Sequence, residues 1–437
     1  MSISSDVIKA KEAATTLAAL NTDVKNNALR AMADALDKNR DAILSSNSMD
    51  VSDAETMESD GKLSNAMVKR LKIDDVKISG MIAGIDDVIG LPDPVGRTIS
   101  TKELDDDLTL YQISCPIGMI GTIFESRPDV VPQIMSLCLK SGNAVIFKGG
   151  SEASRTNKTL FDILTKAAYS AGIPKGVFVL MERRKDVNAI LSMDQYIDLL
   201  IPRGSNSFVQ YIRENTKIPV LGHASGICHI FIDESANIDM AVKVALDSKI
   251  QYPAVCNAVE TLLVDSKIAP IFLPLMDKEY HNNNVEIRTD KRAIRYMEHA
   301  KIAEESDWDT EYGDLVISIA VVDDMDEAIT FINEHGSHHT DAIISNDKDR
   351  ISRFIRYVDS ADVFVNASTR FADGYRFGKG AEVGISTNKI HSRGPVGMEG
   401  LMIYKYVLIG DGQIVKDYVG KDARPFTHKD INKELEL

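Results

Sequence analysis

From residue 4 to about residue 75 the apolar positions recur near a 3.6-residue period, with Leu29, Met32, Leu36 and Ile43 set among acidic and basic residues. That spacing predicts a layer of amphipathic helices. At Leu108 the period changes to two, with Leu108 and Leu110 alternating with Thr109, Tyr111 and Ile113, and the apolar run Ile117-Gly-Met-Ile-Gly-Thr-Ile-Phe124 follows. A sheet is expected to begin there.

Between Ala144 and Val220, short β-branched runs alternate with helical ones: strands at 144–148, 177–180, 197–201 and 218–221, and helices at 157–168 and from Ser205. A second series runs from Ile227 to Ile232, through 315–319 and 342–344, to 362–365. Such alternation predicts βαβ units, parallel sheets and helices on both faces. Two doubly wound α/β domains account for the length, with expected limits of 1–225 and 226–385 and a return segment and tail over 386–437. The break between the first two rests on Gly222-His-Ala-Ser-Gly226. The tail after Asp411 is expected to hold an edge strand at a subunit contact.

With 437 residues, 44% hydrophobic and 26% charged, the chain exceeds what one core usually supports. The net charge of −15 repels nucleic-acid phosphates and anionic lipid, and no Lys/Arg-rich run offsets it. Four cysteines without C-x-x-C spacing argue against a disulfide framework and a structural zinc site. No apolar run reaches the ~18 residues of a membrane span, and the N-terminus lacks a signal pattern. A cytoplasmic protein is expected, binding neither nucleic acid nor membrane.

Cys256 stands in Tyr252-Pro-Ala-Val-Cys-Asn-Ala-Val-Glu260, bracketed by proline and asparagine ahead of an apolar run. A reactive thiol needs such a partly accessible turn, whereas a packed cysteine sits inside periodic apolar sequence. The strand at 144–148 runs into Gly149-Gly-Ser-Glu-Ala153 and a helix, where freed N–H groups can attract an anion. Taken alone this is better read as an ordinary βα turn, and no G-x-G-x-x-G is present. Ile201-Pro-Arg-Gly-Ser-Asn-Ser207 repeats the arrangement, and the pair would line the carboxyl edge of one sheet. A long stretch from Val365 to Val396, rich in Gly, Asn, Ser, Thr and Arg, reads as an ordered functional loop packed through Phe371, Phe377, Val383 and Ile385.

Of nine histidines, only His335 and His339 form an i, i+4 pair, and Gly336 and Ser337 weaken the helix that would align them. The segment reads as a polar turn. His281 reads as surface, so no metal is expected. No G-x-S-x-G elbow supports an esterase triad.

Six blocks in order, Pro116–Pro128, Lys140–Ala153, Pro202–Asn206, Tyr252–Asn257, Asn366–Arg370 and Gly380–Thr387, resemble those of the γ-glutamyl phosphate reductases, of the aldehyde dehydrogenase superfamily. The resemblance implies an aldehyde-dehydrogenase-like fold and the NADPH-dependent second step of proline biosynthesis from glutamate. It makes Cys256 the nucleophile and places Lys148, Gly149, Gly150, Ser151 and Glu152 near the adenosine end of NADP(H). Gly204 and Ser205 would approach the cofactor from the second turn, and Glu382 would meet the nicotinamide ribose. An oligomerisation element drawn from the hairpin near 98–115 and the tail implies a homo-oligomer.

Against the hydrolytic aldehyde dehydrogenases, Arg127 occupies the place of an oxyanion-hole asparagine and Val220 that of the water-activating glutamate. Without that base a thioester is hydrolysed poorly, which suits phosphate as the exchanging group. The substrate so implied, L-glutamyl 5-phosphate, carries two anionic groups and an ammonium. Arg127, Arg203, Arg370 and Arg393 are the candidate clamps, Arg393 reading better as a structural tie. Asn366, Ser368 and Thr369 complete the expected substrate contacts, the latter two alternatively capping a turn. The backbone N–H of Cys256 is the simplest oxyanion donor, with Asn257 or Arg127 as helpers. Competing expectations are a CoA-acylating or hydrolytic aldehyde dehydrogenase, and a non-catalytic partner of glutamate kinase.

Overall fold

A computed structural model describes residues 3–182, 186–223 and 225–436. Ala224, within the glycine-bounded break, lies outside the described residues. The chain divides into two compact units. One comprises Met1–Gly204, Tyr211–Val220 and Gly397–Leu437, the other Ser205–Gln210 and Leu221–Val396.

In the first unit the helical period gives five helices: Ile3–Ala18, Thr22–Lys38, Arg40–Ser59, Asn65–Leu71 and Asp75–Gly90. Asn21, Ser64 and Asp74 start three of them by accepting from N–H groups three residues on. Leu29, Met32, Leu36 and Ile43 are fully buried, as their spacing requires. A parallel sheet follows, built of β3 (Met119–Phe124), β4 (Ala144–Gly149), β5 (Phe178–Leu180) and β6 (Leu199–Arg203) in the order β5-β4-β3-β6. The expected strand at 218–221 is reduced to a single bridge between Leu200 and Val220.

The hairpin of β1 (Thr98–Asp105) and β2 (Leu108–Pro116) is widened by β16 (Met402–Ile409) against β2 and β17 (Lys429–Asp430) against β1. The main C-terminal strand therefore precedes Asp411, and among the described residues only the two-residue β17 follows it. This pairing returns the tail to the first unit. The expected limit at 225 moves to the 205–221 region, and the segment 386–396 stays with the second unit.

The second unit holds a seven-stranded, wholly parallel sheet in the order β10-β9-β11-β8-β7-β12-β13. Its strands are β7 (Cys228–Ile232), β8 (Val259–Asp265), β9 (Glu286–Thr289), β10 (Ala300–Ile302), β11 (Val316–Val322), β12 (Thr340–Ile344) and β13 (Asp362–Val365). Continuous apolar runs suit a sheet covered on both faces. Ile230, Leu262, Ala342 and Ile344 pack into one cluster with Phe272, while Phe231, Leu263 and Ile343 pack into another with Ile332 and Phe354. A small hairpin, β14 (Gly384–Ser386) with β15 (Gly394–Val396), closes the unit. Val383 and Ile385 are buried as expected, but Phe371 and Phe377 are 54% and 40% exposed, so the loop packs through its aliphatic residues instead.

Candidate active site

Pro253 cannot continue a helix, and the helix Ile238–Ile250 ends just before it. The chain then turns into β8, with the Ala258 N–H donating to the Val255 carbonyl at 2.9 Å, so Cys256 and Asn257 take the central positions of the turn. Gly226 underlies this turn. A Cβ there would stand 2.1 Å from the Cys256 carbonyl oxygen and 2.4 Å from its Cα, so only glycine admits the approach. The Cys228 thiol donates to that same carbonyl at 3.2 Å. Cys256 itself is half-buried, whereas Cys138 and Cys228 are enclosed and burial raises both thiols. Burial also raises Cys115.

His339, fully buried at the entrance to β12, places Nε2 3.2 Å from Cys256 Sγ. Its Nδ1 lies 2.8 Å from Thr340 Oγ1, and the Thr340 hydroxyl donates to Asp362 Oδ2 at 3.4 Å. Since the carboxylate takes the hydroxyl proton, Thr340 Oγ1 accepts from His339 Nδ1–H, and the Nε2 lone pair faces the sulfur. Burial pushes the Asp362 carboxyl up to about 6. His223 stands edge-on to His339, with ring centroids 5.1 Å apart, and its Nδ1 is 2.9 Å from the Ile385 carbonyl. All of these groups gather at the amino ends of β7, β8, β12 and β13.

Arg370 reaches the same neighbourhood. Burial first and Arg376 second hold its guanidinium below the usual value, while the Cys256 sulfur acts the other way. Its Nε donates to Gln251 Oε1 at 2.9 Å. Asn257 Nδ2 donates to the Ala372 carbonyl at 2.8 Å, tying the Arg370 loop to the nucleophile's turn. Asn257 Oδ1 and Thr369 Oγ1 are buried without a hydrogen-bond partner among the described residues. Ser368 Oγ accepts from the Arg370 N–H and from the Ser248 hydroxyl, so it caps the turn.

Other expected contacts fall elsewhere. Asn366 follows β13 at the opposite, carboxyl end of the sheet, four residues or ~13 Å of extended chain from Asp362. Its left-handed backbone (φ 55°) and both amide atoms are committed to the backbone of Ser345. Arg393 clamps Asp359 and the Thr387 carbonyl, the structural role expected of it. Glu382 accepts from the Gly374 N–H at 2.9 Å.

In the first unit, Arg127 follows β3, Lys148 and Gly149 end β4 with Gly150 to Glu152 after them, and Arg203 ends β6 with Gly204 after it. Three loops thus meet at the carboxyl edge of one parallel sheet, where nucleotides settle in open α/β folds. A Cβ on Gly149 would meet Asn157 Nδ2 at 2.2 Å and one on Gly150 would meet Glu152 Oε1 at 2.1 Å, so a larger residue at either place would have to displace the Asn157 amide or the Glu152 carboxylate. Asn157 Oδ1 is buried and has no partner among the described residues. Glu152 bends back to accept from the Ser126 N–H and hydroxyl, and Lys148 Nζ donates to the Gly149 carbonyl. Ser151 begins a 3-10 turn ahead of the helix Ser154–Ser170, and Ser205, next along the chain from Gly204, is exposed.

Sequence reasoning passes over His339 and His223. Spacing groups His339 with His335, but His335 ends the helix Met325–His335 and pairs with Asp309. The signal lies in the position of His339 immediately before an apolar parallel strand.

Residues 2–294 match the aldehyde dehydrogenase family. The chain is 60% identical to a gamma-glutamyl phosphate reductase of Methanosarcina mazei, with 99% of this chain and 98% of the relative covered. A reductase of the same name from Brachyspira hyodysenteriae is 51% identical, over 98% of this chain and 99% of the relative. The crystal structure of gamma-glutamyl phosphate reductase from Thermotoga maritima superposes with a TM-score of 0.90 at 39% identity, covering 94% of this chain and 99% of that one. An NADP complex of glyceraldehyde-3-phosphate dehydrogenase from Methanocaldococcus jannaschii shares the fold, with a TM-score of 0.63 at 15% identity over 93% and 94% of the two chains. The chain belongs to the aldehyde dehydrogenase family, among the γ-glutamyl phosphate reductases, and is an oxidoreductase acting on an aldehyde.

Proposed function

We propose that this chain reduces L-glutamyl 5-phosphate to L-glutamate 5-semialdehyde, releasing phosphate, through a thioester on Cys256. The Cys256 Sγ to His339 Nε2 distance of 3.2 Å carries the reading. His339 takes the thiol proton, and the thiolate adds to the acyl carbon. The bond from that carbon to the phosphate oxygen breaks, and the imidazolium returns its proton to the departing phosphate. Reduction of the thioester takes a hydride, the chemistry that NADPH would supply when held by the glycine-rich turns of the first unit. The resulting oxyanion expels the Cys256 thiolate and leaves the aldehyde; one proton from solvent restores the Cys–His pair.

The Cys256 backbone N–H, which donates to no described residue, serves the oxyanion, with Asn257 holding the turn. Arg370 supplies a cation suited to phosphate or carboxylate, and the unpartnered Thr369 Oγ1 and Asn257 Oδ1 supply polar contacts. Gly149, Gly150, Ser151 and Gly204 would hold the cofactor, and Arg127 and Arg203 border it. Glu152, spent on Ser126, leaves room for a ribose 2′-phosphate. Val220, 8% exposed at its bridge to Leu200, offers no base for hydrolysis.

Assaying NADP⁺ reduction by the semialdehyde with and without inorganic phosphate tests this. Turnover that ignores phosphate would count against the acyl-phosphate reading.

Three corollaries belong to the same reading. Acyl phosphates are labile, so a kinase acting on the glutamate side chain must deliver this substrate. Edge strand β16 exposes Tyr404, Tyr406 and Leu408, and a second copy of the chain is its proposed cover; light scattering giving a monomer mass would refute it. No helix among the described residues is long and apolar enough to cross a membrane, and the four thiols are free, which suits the cytoplasm.

A further inference from the structure

Three soft donors converge on one point of the second unit. One ligand atom each from His223, Cys256 and His339 lies within 4.8 Å of the other two. We infer that these residues form a site for one zinc-class divalent cation, which reversibly blocks the nucleophile.

Two imidazoles and a thiolate are the ligands that borderline-soft cations prefer, and a three-residue set leaves the fourth tetrahedral position to water. Zinc–nitrogen and zinc–sulfur bonds of about 2.0–2.3 Å put tetrahedral ligand atoms roughly 3.3–3.7 Å apart. Cys256 Sγ and His339 Nε2 already stand at 3.2 Å, and with the His223 ligand atom within 4.8 Å of both, a shift of about an ångström brings the set to bonding spacing.

A metal-binding histidine ordinarily donates its second ring N–H to an oxygen, which fixes ring and tautomer. His223 Nδ1 faces the Ile385 carbonyl at 2.9 Å and His339 Nδ1 faces Thr340 Oγ1 at 2.8 Å, so both rings meet this requirement. Two of the three are set by the backbone: His339 immediately precedes β12, and Gly226 lies directly under the Cys256 turn. Coordination exchanges the thiol proton for the metal and occupies the sulfur lone pair that would attack an acyl carbon. The inference deepens the thioester reading by naming a block on the same sulfur, yet it rests on geometry that holds whatever substrate the protein takes.

The test uses the full-length protein, freed of metal by a chelator and titrated with Co²⁺ without substrate or cofactor. One equivalent should produce a thiolate-to-cobalt charge-transfer band with the intense visible bands of four-coordinate cobalt, and Zn²⁺ should displace both. Cys256→Ser, which keeps the side chain's size, should abolish the charge-transfer band. His223→Gln and His339→Gln should each weaken binding on the order of tenfold or more. In the wild type, Zn²⁺ should slow alkylation of Cys256, and the chelator should restore it, which needs no variant to fold. The inference is overturned if no charge-transfer band forms, if it survives Cys256→Ser, or if Zn²⁺ leaves the alkylation rate unchanged. Because no turnover is read, failure here leaves the reductase reading standing, and failure of the phosphate assay leaves the metal site standing.

Discussion

His339 Nε2 meets Cys256 Sγ at 3.2 Å although 83 residues separate the two in sequence, because β8 and β12 both start at the same edge of one parallel sheet. The imidazole is held from behind by Thr340 and, through it, Asp362. Replacing His339 with alanine removes the proton acceptor and should lower kcat/KM on the order of 10²–10⁴-fold. Steady-state rates check this; activity within about twofold of wild type would exclude the histidine from the chemistry.

Gly226→Ala should also disable the enzyme, by a different route. The added methyl meets backbone of the Cys256 turn, which cannot rotate aside, so the sulfur must move. A displacement near 1 Å costs about 10²-fold in rate, and the overpacking about 1–3 kcal/mol of stability. Kinetics and denaturant unfolding together distinguish this from simple loss of fold, since a well-folded variant with normal rates would contradict it.

Much of this arrangement is legible in the sequence. Strand–helix alternation points to parallel sheets, and Pro253 with Asn257 marks Cys256 as a turn residue. The misses share a physical cause, which is pairing across long separations. Nothing local joins β16 to β2, roughly 290 residues earlier, so sequence pattern alone puts the tail's main strand after Asp411. Spacing sets His339 against His335, when its partner lies across the sheet edge. The motif puts Asn366 beside Arg370, yet the chain turns there with φ 55° and carries its amide to Ser345 at the far end of the strands.

Asp362 makes part of the protein's stability depend on pH. Burial raises its carboxyl from 3.8 to about 6, so between these values the folded state binds a proton that the unfolded state has lost. The contribution is therefore fully present below 3.8 and disappears as the pH climbs through about 6, a swing of roughly 3 kcal/mol at most. Asp362→Asn, neutral throughout, should flatten this portion of the stability–pH curve. Denaturant midpoints measured from about pH 4 to 7 check it, and an unchanged slope would contradict the assignment.

The four thiols should differ sharply in reactivity. Cys138 and Cys228 are sealed and raised by burial, and Cys115 is raised as well. Alkylation followed by peptide mass spectrometry should therefore show one fast site, Cys256, and Cys256→Ser should leave only slow labelling. Fast labelling of Cys115 at an equal rate would contradict the ranking.

Covalent capture of the substrate on Cys256 is tested most directly by supplying the semialdehyde and NADP⁺ without phosphate, then measuring the intact protein and its peptides by mass spectrometry. The thioester reading requires about one equivalent of NADPH in a burst, a glutamyl adduct on the Cys256 peptide, and discharge of that adduct when phosphate is added. Steady turnover without an adduct, or an adduct on another residue, would contradict it.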